Sequence, residues 1–263
     1  AEEAASIDRS AVAAEKTCQD STPEQEYYIG RSVAATVLET YKPYEQAELN
    51  AYLTVLGQTL AQFSDRPETF GGYHFLVLET DEINAFAAPG GLILVSRGLL
   101  SCCRSEDALA AVLAHEIGHV ENQHGLQAIK RGRLTSALTI FAVEAGKNLA
   151  GEDLAAATKA FEGSITDISS TLMNSGYSRS LEYDADAAAV KILIRAGYNP
   201  QALIDMLTEM KKNFTADARG FGKTHPAPED RIQQVSRLVS SNAVSPAPPA
   251  RQQRFESMIG KVK

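Results

Sequence analysis

Hydrophobic positions along the chain change their period twice. Ile29, Val33 and Val37 recur every four residues, one face of a helix, and Thr22-Pro23 offers a capping hydroxyl followed by proline at the first helical position. Leu49, Leu53, Leu56 and Leu60 set a second helix over about Tyr44 to Phe63. The period then shortens. His74–Leu78, Asn84–Ala87 and Leu92–Val95 read as three short strands, with Pro89-Gly90-Gly91 turning between the second and third. Helical spacing returns after Ser105, a plausible cap with Glu106 and Asp107 at the positive end of the helix dipole. That helix runs through Ala108 to about His124 and is apolar nearly all round, which predicts a central, buried position.

Leu126 to Asn148 also reads as helical. A further helix spans about Ser180 to Ala196 and stops at Gly197. Asn199-Pro200 opens the next, which buries Leu203, Met206, Leu207 and Met210. A last helix over about Glu229 to Val239 carries Ile232, Val235 and Leu238. The pattern predicts a mostly α protein with a small β-sheet, an α+β fold. One domain over residues 21–242 is flanked by an N-terminal arm, 1–20, and by a Pro-rich linker and basic tail, 243–263.

Composition narrows the function classes. The 263 residues carry a formal net charge of −8, so no basic footprint for nucleic acid is present. No apolar run approaches the roughly 20 residues of a membrane span; Ala137 to Val143 is cut short by Glu144. The chain begins at Ala1 without Met, which suggests a processed or truncated product and, with it, export. Cys18, Cys102 and Cys103 lack zinc-finger spacing. A bridge from Cys18 to either of the others would need an oxidising compartment, and free buried thiols are the alternative.

Chemistry concentrates in His115-Glu116-Ile117-Gly118-His119. Residues four apart share a helix face, so both imidazoles can reach one ion. Glu116 lies about 100° round the helix, where it can approach a metal-bound water without ligating the metal. An amphipathic helix with two incidental histidines would show the same letters. Three costly polar groups on an otherwise apolar helix favour the metal, which would relieve their burial.

A catalytic zinc usually takes three protein ligands and keeps one position open. His124 stands about 140° off the ligand face, which suits packing or support of a ligand better than ligation. Glu182 is the candidate third ligand, and Asp186, four residues on, could accept from the outer nitrogen of a ligating histidine. A solvated acidic face at a helix start is the competing reading, and Asp184 fits it. His225 and Arg231 could donate to a developing oxyanion, or simply anchor a helix start. Asn84, Ala85, Phe86 and Ala87 could form an edge strand to which a substrate adds by main-chain hydrogen bonds. Gly220, Gly222 and Lys223 precede His225, and Pro226 holds it extended, so His225 could swing over the metal as a plug.

Several motifs in order resemble metallopeptidase family 48, the family of the CAAX prenyl endopeptidase and HtpX, and above all its soluble, exported bacterial members. They are Asn84-Ala85-Phe86-Ala87-x-Pro89-Gly90-Gly91, Gly98-Leu99-Leu100, Ala114 to Val120, Glu182 to Asp186 and His225-Pro226-x-Pro228-x-x-Arg231. The resemblance covers about Glu24 to Leu238. It implies a gluzincin-like zinc metalloprotease domain with one Zn2+ per chain on His115, His119 and Glu182. It further implies Glu116 as catalytic base, Asp186 as orienting partner, and His225 and Arg231 near the site. The substrate expected is a polypeptide, unfolded or misassembled, in envelope protein quality control. A self-inhibited fold acting as a chaperone or binding module, and a structural zinc site with His225 as fourth ligand, stay open as alternatives.

Overall fold

The computed structural model describes residues 21–129, 152–212, 224–225, 228–239, 247–260 and 262. Two helices come first, α1 (Pro23–Thr40) and α2 (Ala47–Ala61). Thr22 caps α1 reciprocally with Gln25: the Gln25 N–H donates to Thr22 Oγ1 at 3.2 Å, and the Thr22 N–H donates to Gln25 Oε1 at 2.8 Å. Helix α2 is shorter than its periodicity suggests, because Pro43 and Tyr44 are drawn into sheet-like pairing with Leu78 and Val77.

The strands are β1 (His74–Leu78), β2 (Ala85–Ala88) and β3 (Leu92–Ser96), in spatial order β1-β3-β2. β1 runs parallel to β3, and β2 pairs antiparallel with β3 from Ala85↔Val95 to Ala88↔Leu92. The turn between β2 and β3 needs left-handed backbone at two successive positions, which Gly90 (φ 77°) and Gly91 (φ 95°) supply. Alternation along the strands divides the interior. Phe75, Val77, Ala85, Ala87, Ile93 and Val95 face the larger core, and Leu78, Phe86, Ala88 and Leu94 face a smaller one against α1.

Helix α3 (Arg97–Cys102) follows directly, and then α4 (Glu106–Glu121), capped by Ser105 Oγ, which accepts from the Ala108 N–H. Every residue of α4 from Glu106 to Val120 is buried. The chain continues through α5 (His124–Gln127), α6 (Glu152–Ser170) with a wider helical turn at Thr171–Ser175, α7 (Arg179–Arg195), α8 (Gln201–Lys212), α9 (Pro228–Val239) and α10 (Pro249–Ile259). Helix α7 packs lengthwise on α4. They meet at Gly118, where an added Cβ would lie 2.7 Å from the Ala185 carbonyl oxygen.

Several expectations change. The long helix does not reach His124: α4 ends at Glu121, and Gln123 adopts left-handed backbone (φ 54°), which reverses the chain before α5. The segment 243–263, read as linker and tail, contains α10. Phe255, Ile259 and Val262 reach the main core, and the Arg254 guanidinium donates to the buried Glu106 carboxylate. Pro248 and Pro249, two of the prolines that suggested a linker, start this helix instead. Leu238 is exposed, and Pro228, Arg231, Val235 and Val239 are the buried residues of α9. The arm 1–20, Cys18 with its possible bridges, most of Leu126 to Asn148, and Gly220, Gly222, Lys223 and Pro226 lie outside the described residues. Cys102 and Cys103 form no disulfide among the described residues. No described helix is long and apolar enough to cross a membrane.

Candidate metal centre

Close packing of α4 on α7 brings residues far apart in sequence to one point. His115 and His119, one turn apart on α4, turn their Nε2 atoms toward each other at 3.1 Å. Glu182, from the first turn of α7, presents Oε2 at 3.5 Å from His115 Nε2 and Oε1 at 3.6 Å from His119 Nε2. His225 closes the group, its Nδ1 3.3 Å from His115 Nε2 and 3.1 Å from both Glu182 oxygens. One donor atom from each of the four lies within 4.8 Å of the others, and all four residues are buried.

The cluster fits a metal on its own geometry. Imidazole nitrogens with lone pairs facing one another repel unless a cation lies between them. Donors around a tetrahedral zinc at 2.0–2.1 Å stand about 3.3 Å apart, close to the separations found here. Two or three imidazoles with one carboxylate is also a donor set suited to zinc.

Charge around the cluster is arranged to keep Glu182 anionic. Burial pushes its carboxyl up, but His225, Arg231 and the hydrogen bonds from His115 and His225 outweigh that and hold it well below the usual range. Arg231, 1% exposed, grips Asp186 with two donors, Nε to Oδ2 at 2.8 Å and Nη2 to Oδ1 at 2.7 Å, and sets Nη1 2.9 Å from Glu182 Oε2. Asp186 in turn meets His115 Nδ1 at 2.9 Å, so the outer nitrogen of this histidine faces a carboxylate. Burial and Arg231 lower the His115 pKa, yet hydrogen bonding to Asp186 and Glu182 lifts it to about 9. His119 is driven well below the ordinary value by burial and by His115.

Glu116 is different. Both carboxylate oxygens are buried without a hydrogen-bond partner among the described residues, and burial raises its pKa against the pull of His225 and His115. His225 Nε2 stands 3.8 Å from Glu116 Oε1. An unpartnered buried carboxylate costs free energy unless a ligand or water takes it.

The remaining candidates divide. Arg231 spends Nε and Nη2 on Asp186 and keeps Nη1 in an ion pair with Glu182, without a hydrogen bond there, which suits holding ligands in place rather than donating to substrate. Asp184 is exposed, unlike Glu182. Ala85, Phe86 and Ala87 lie on the sheet's edge strand but are buried. Asn84, just before it, accepts at Oδ1 from Thr224 Oγ1 at 3.1 Å. The Thr224 carbonyl accepts from the Tyr177 N–H at 3.3 Å. Thr224-His225 thus runs from the strand start to the metal cluster, ground a substrate would need. Spacing gave no sign of Tyr177, and of His124 it suggested only packing or support of a ligand. The Tyr177 ring stacks on His119 with centroids 4.4 Å apart, and His124 Nδ1 meets His119 Nδ1 at 2.8 Å.

Comparison with known proteins follows the same lines. Residues 47–239 match Peptidase family M48. The beta-barrel assembly-enhancing protease of Yersinia pestis is 26% identical over 232 residues, 88% of this chain and 46% of that protein. That of Escherichia coli is 28% identical over 186 residues, covering 70% and 37% of the two chains. The mitochondrial metalloendopeptidase OMA1 of Schizosaccharomyces pombe is 31% identical over 158 residues, 58% and 42%. The chain spans less than half the length of each of these relatives.

Proposed function

The chain belongs to peptidase family M48, and from that premise we propose that it is a zinc-dependent endopeptidase whose resting site is closed by its own His225. The observation that carries this reading is the pairing of a four-donor buried cluster with a Glu116 carboxylate that has no hydrogen-bond partner among the described residues. A purely structural metal site has no use for such an acid.

Bound zinc would supply Lewis acidity, polarising the scissile carbonyl and making a water acidic near neutral pH. His115, His119 and Glu182 would hold it. Glu116 would take the proton of that water at its carboxylate and return it to the leaving amine. Asp186 would keep the His115 ring oriented, and Arg231 would hold Asp186 and Glu182 in register. The substrate would be a polypeptide in extended form, pairing along Asn84 to Ala87 once Thr224 and His225 have withdrawn. The relatives' description as beta-barrel assembly-enhancing proteases supports misassembled envelope protein as substrate and an exported, periplasmic location.

Zinc content and casein hydrolysis, measured on wild type and on His225→Ala at matched metal occupancy, test the reading. We expect one zinc per chain and faster hydrolysis by His225→Ala, because a larger fraction of molecules is competent. Absence of zinc after purification in zinc-supplemented medium would overturn the metal assignment. A fall of about 10²–10³ in rate would make His225 a transition-state donor instead of a plug.

A further inference from the structure

His119 has an unusual outer partner. A metal-ligating histidine generally turns its second nitrogen to a carboxylate, a carbonyl or water, as His115 does with Asp186. His119 Nδ1 instead meets the imidazole of His124 at 2.8 Å, within a buried pair. A helix continued past Glu121 would carry His124 about 140° off the ligand face. The contact exists because Gln123 turns the backbone left-handed, the only non-glycine residue to do so among the described residues. That conformation is uncommon for such a residue and persists where surroundings hold it.

The surroundings here are specific. Gln123 Nε2 donates to Glu26 Oε2 at 3.0 Å, and the Gln123 N–H donates to the Val120 carbonyl. Glu26 is 1% exposed on the first turn of α1, 97 residues away in sequence. Arg66 pairs with it through both terminal nitrogens, at 2.9 and 2.6 Å, and Nη1 also reaches the Val120 carbonyl. The other Glu26 oxygen accepts from the Gly90 N–H at 3.1 Å, in the turn that ends β2. One buried carboxylate thus touches the reversal that aims His124 and the end of the strand beside the site.

We infer that Glu26 and Gln123 are positioning residues of the metal centre, acting on His119 through His124. The Glu26–Gln123 clasp fixes the chain reversal, the reversal sets the His124 ring, and that ring orients His119 toward the metal. Neither Glu26 nor Gln123 touches the metal donors. The inference rests on the zinc peptidase reading, so its test reads metal binding directly and does not depend on hydrolysis.

Zinc affinity, measured by competition with a chromogenic chelator, is compared in wild type, His124→Ala, Gln123→Gly and the double variant, with Glu26→Gln alongside. Glycine accepts the left-handed backbone but lacks the clasp. Loss of an outer partner typically weakens metal binding 10–100-fold, and that range is expected for His124→Ala. A smaller loss in the same direction is expected for Gln123→Gly and Glu26→Gln. The double variant should bind no more weakly than His124→Ala alone, because Gln123 acts through His124. In the cobalt-substituted protein, the visible band should shift the same way in all single variants. Additive losses in the double variant, or wild-type affinity in Gln123→Gly, would overturn the inference. If Glu26→Gln fails to fold, with Arg66 left unpaired, the Gln123 and His124 cycle still decides. A wild type that binds no zinc would overturn the zinc reading itself, a separate outcome.

Discussion

At the scale of single residues, neighbouring acids have opposite fates. Glu182 lies buried between His225, His115 and Arg231, whereas Asp184, two residues on, is exposed. Substituting each with alanine removes one negative charge from the same helix turn. Ligation predicts that Glu182→Ala loses zinc affinity by orders of magnitude and Asp184→Ala barely changes it, by chelator competition. Glu116→Gln keeps the shape of the side chain and removes its basicity. It should retain one zinc per chain and lower casein hydrolysis by about 10²–10⁴. These residues were legible because helical spacing is rigid: four residues along α4 and the Glu182–Asp186 offset on α7 translate directly into shared faces. A supporting role for His124 could be read from its offset, but its pairing with His119 could not, since that depends on one left-handed residue, and nothing in a linear pattern marks Gln123 for it. Tyr177 was hidden for a similar reason: its stacking on His119 comes from a loop.

Between elements, the decisive contact is the crossing of α4 and α7. Gly118→Ala would set a methyl 2.7 Å from the Ala185 oxygen and 3.1 Å from Ala188 Cβ. The helices must separate, at a cost of about 1–3 kcal/mol in denaturant unfolding, and zinc affinity should fall because the separation draws Glu182 from the histidines. Amphipathic periodicity identified α1, α2, α4, α7, α8 and α9, with boundaries moved by caps and by sheet pairing at Tyr44. It failed at α10, where Pro246, Pro248 and Pro249 outweighed the spacing of Phe255 and Ile259, four residues apart. Proline is a helix starter as well as a breaker, and only the acidic partner on α4 reveals which role applies here. Arg254→Ala should cost about 1–2 kcal/mol of stability, modest because its side chain is half exposed.

For the whole molecule, pH acts through that same anchor. Burial raises the Glu106 pKa, but hydrogen bonds from Arg254, Tyr198 and Tyr52 outweigh it, so the folded value is depressed. The resulting stabilisation is complete above the ordinary glutamate pKa of about 4.3 and is lost as pH falls through the folded value. Unfolding free energies at pH 7 and in acid should therefore show the gap between wild type and Arg254→Ala narrowing at low pH. An unchanged gap would mean that Glu106 stays ionised or that the pair contributes little.

The donor cluster joins points 110 residues apart, from His115 to His225, with Glu182 between. In the language of polymer closure, an ion there is a reversible cross-link across a large loop, and breaking the fold requires giving it up. The catalytic ion would then also be a folding ligand. At free zinc one hundred times the dissociation constant, mass action adds about 2.7 kcal/mol to the folded state, or roughly 5–10 °C in melting temperature for a chain of this size. A chelator titration followed by calorimetry should show that shift progressively, and Glu182→Ala should be almost blind to it. A protease of this design would lose its hold on the fold as it lost its metal, so that starvation for zinc removes the enzyme along with its activity.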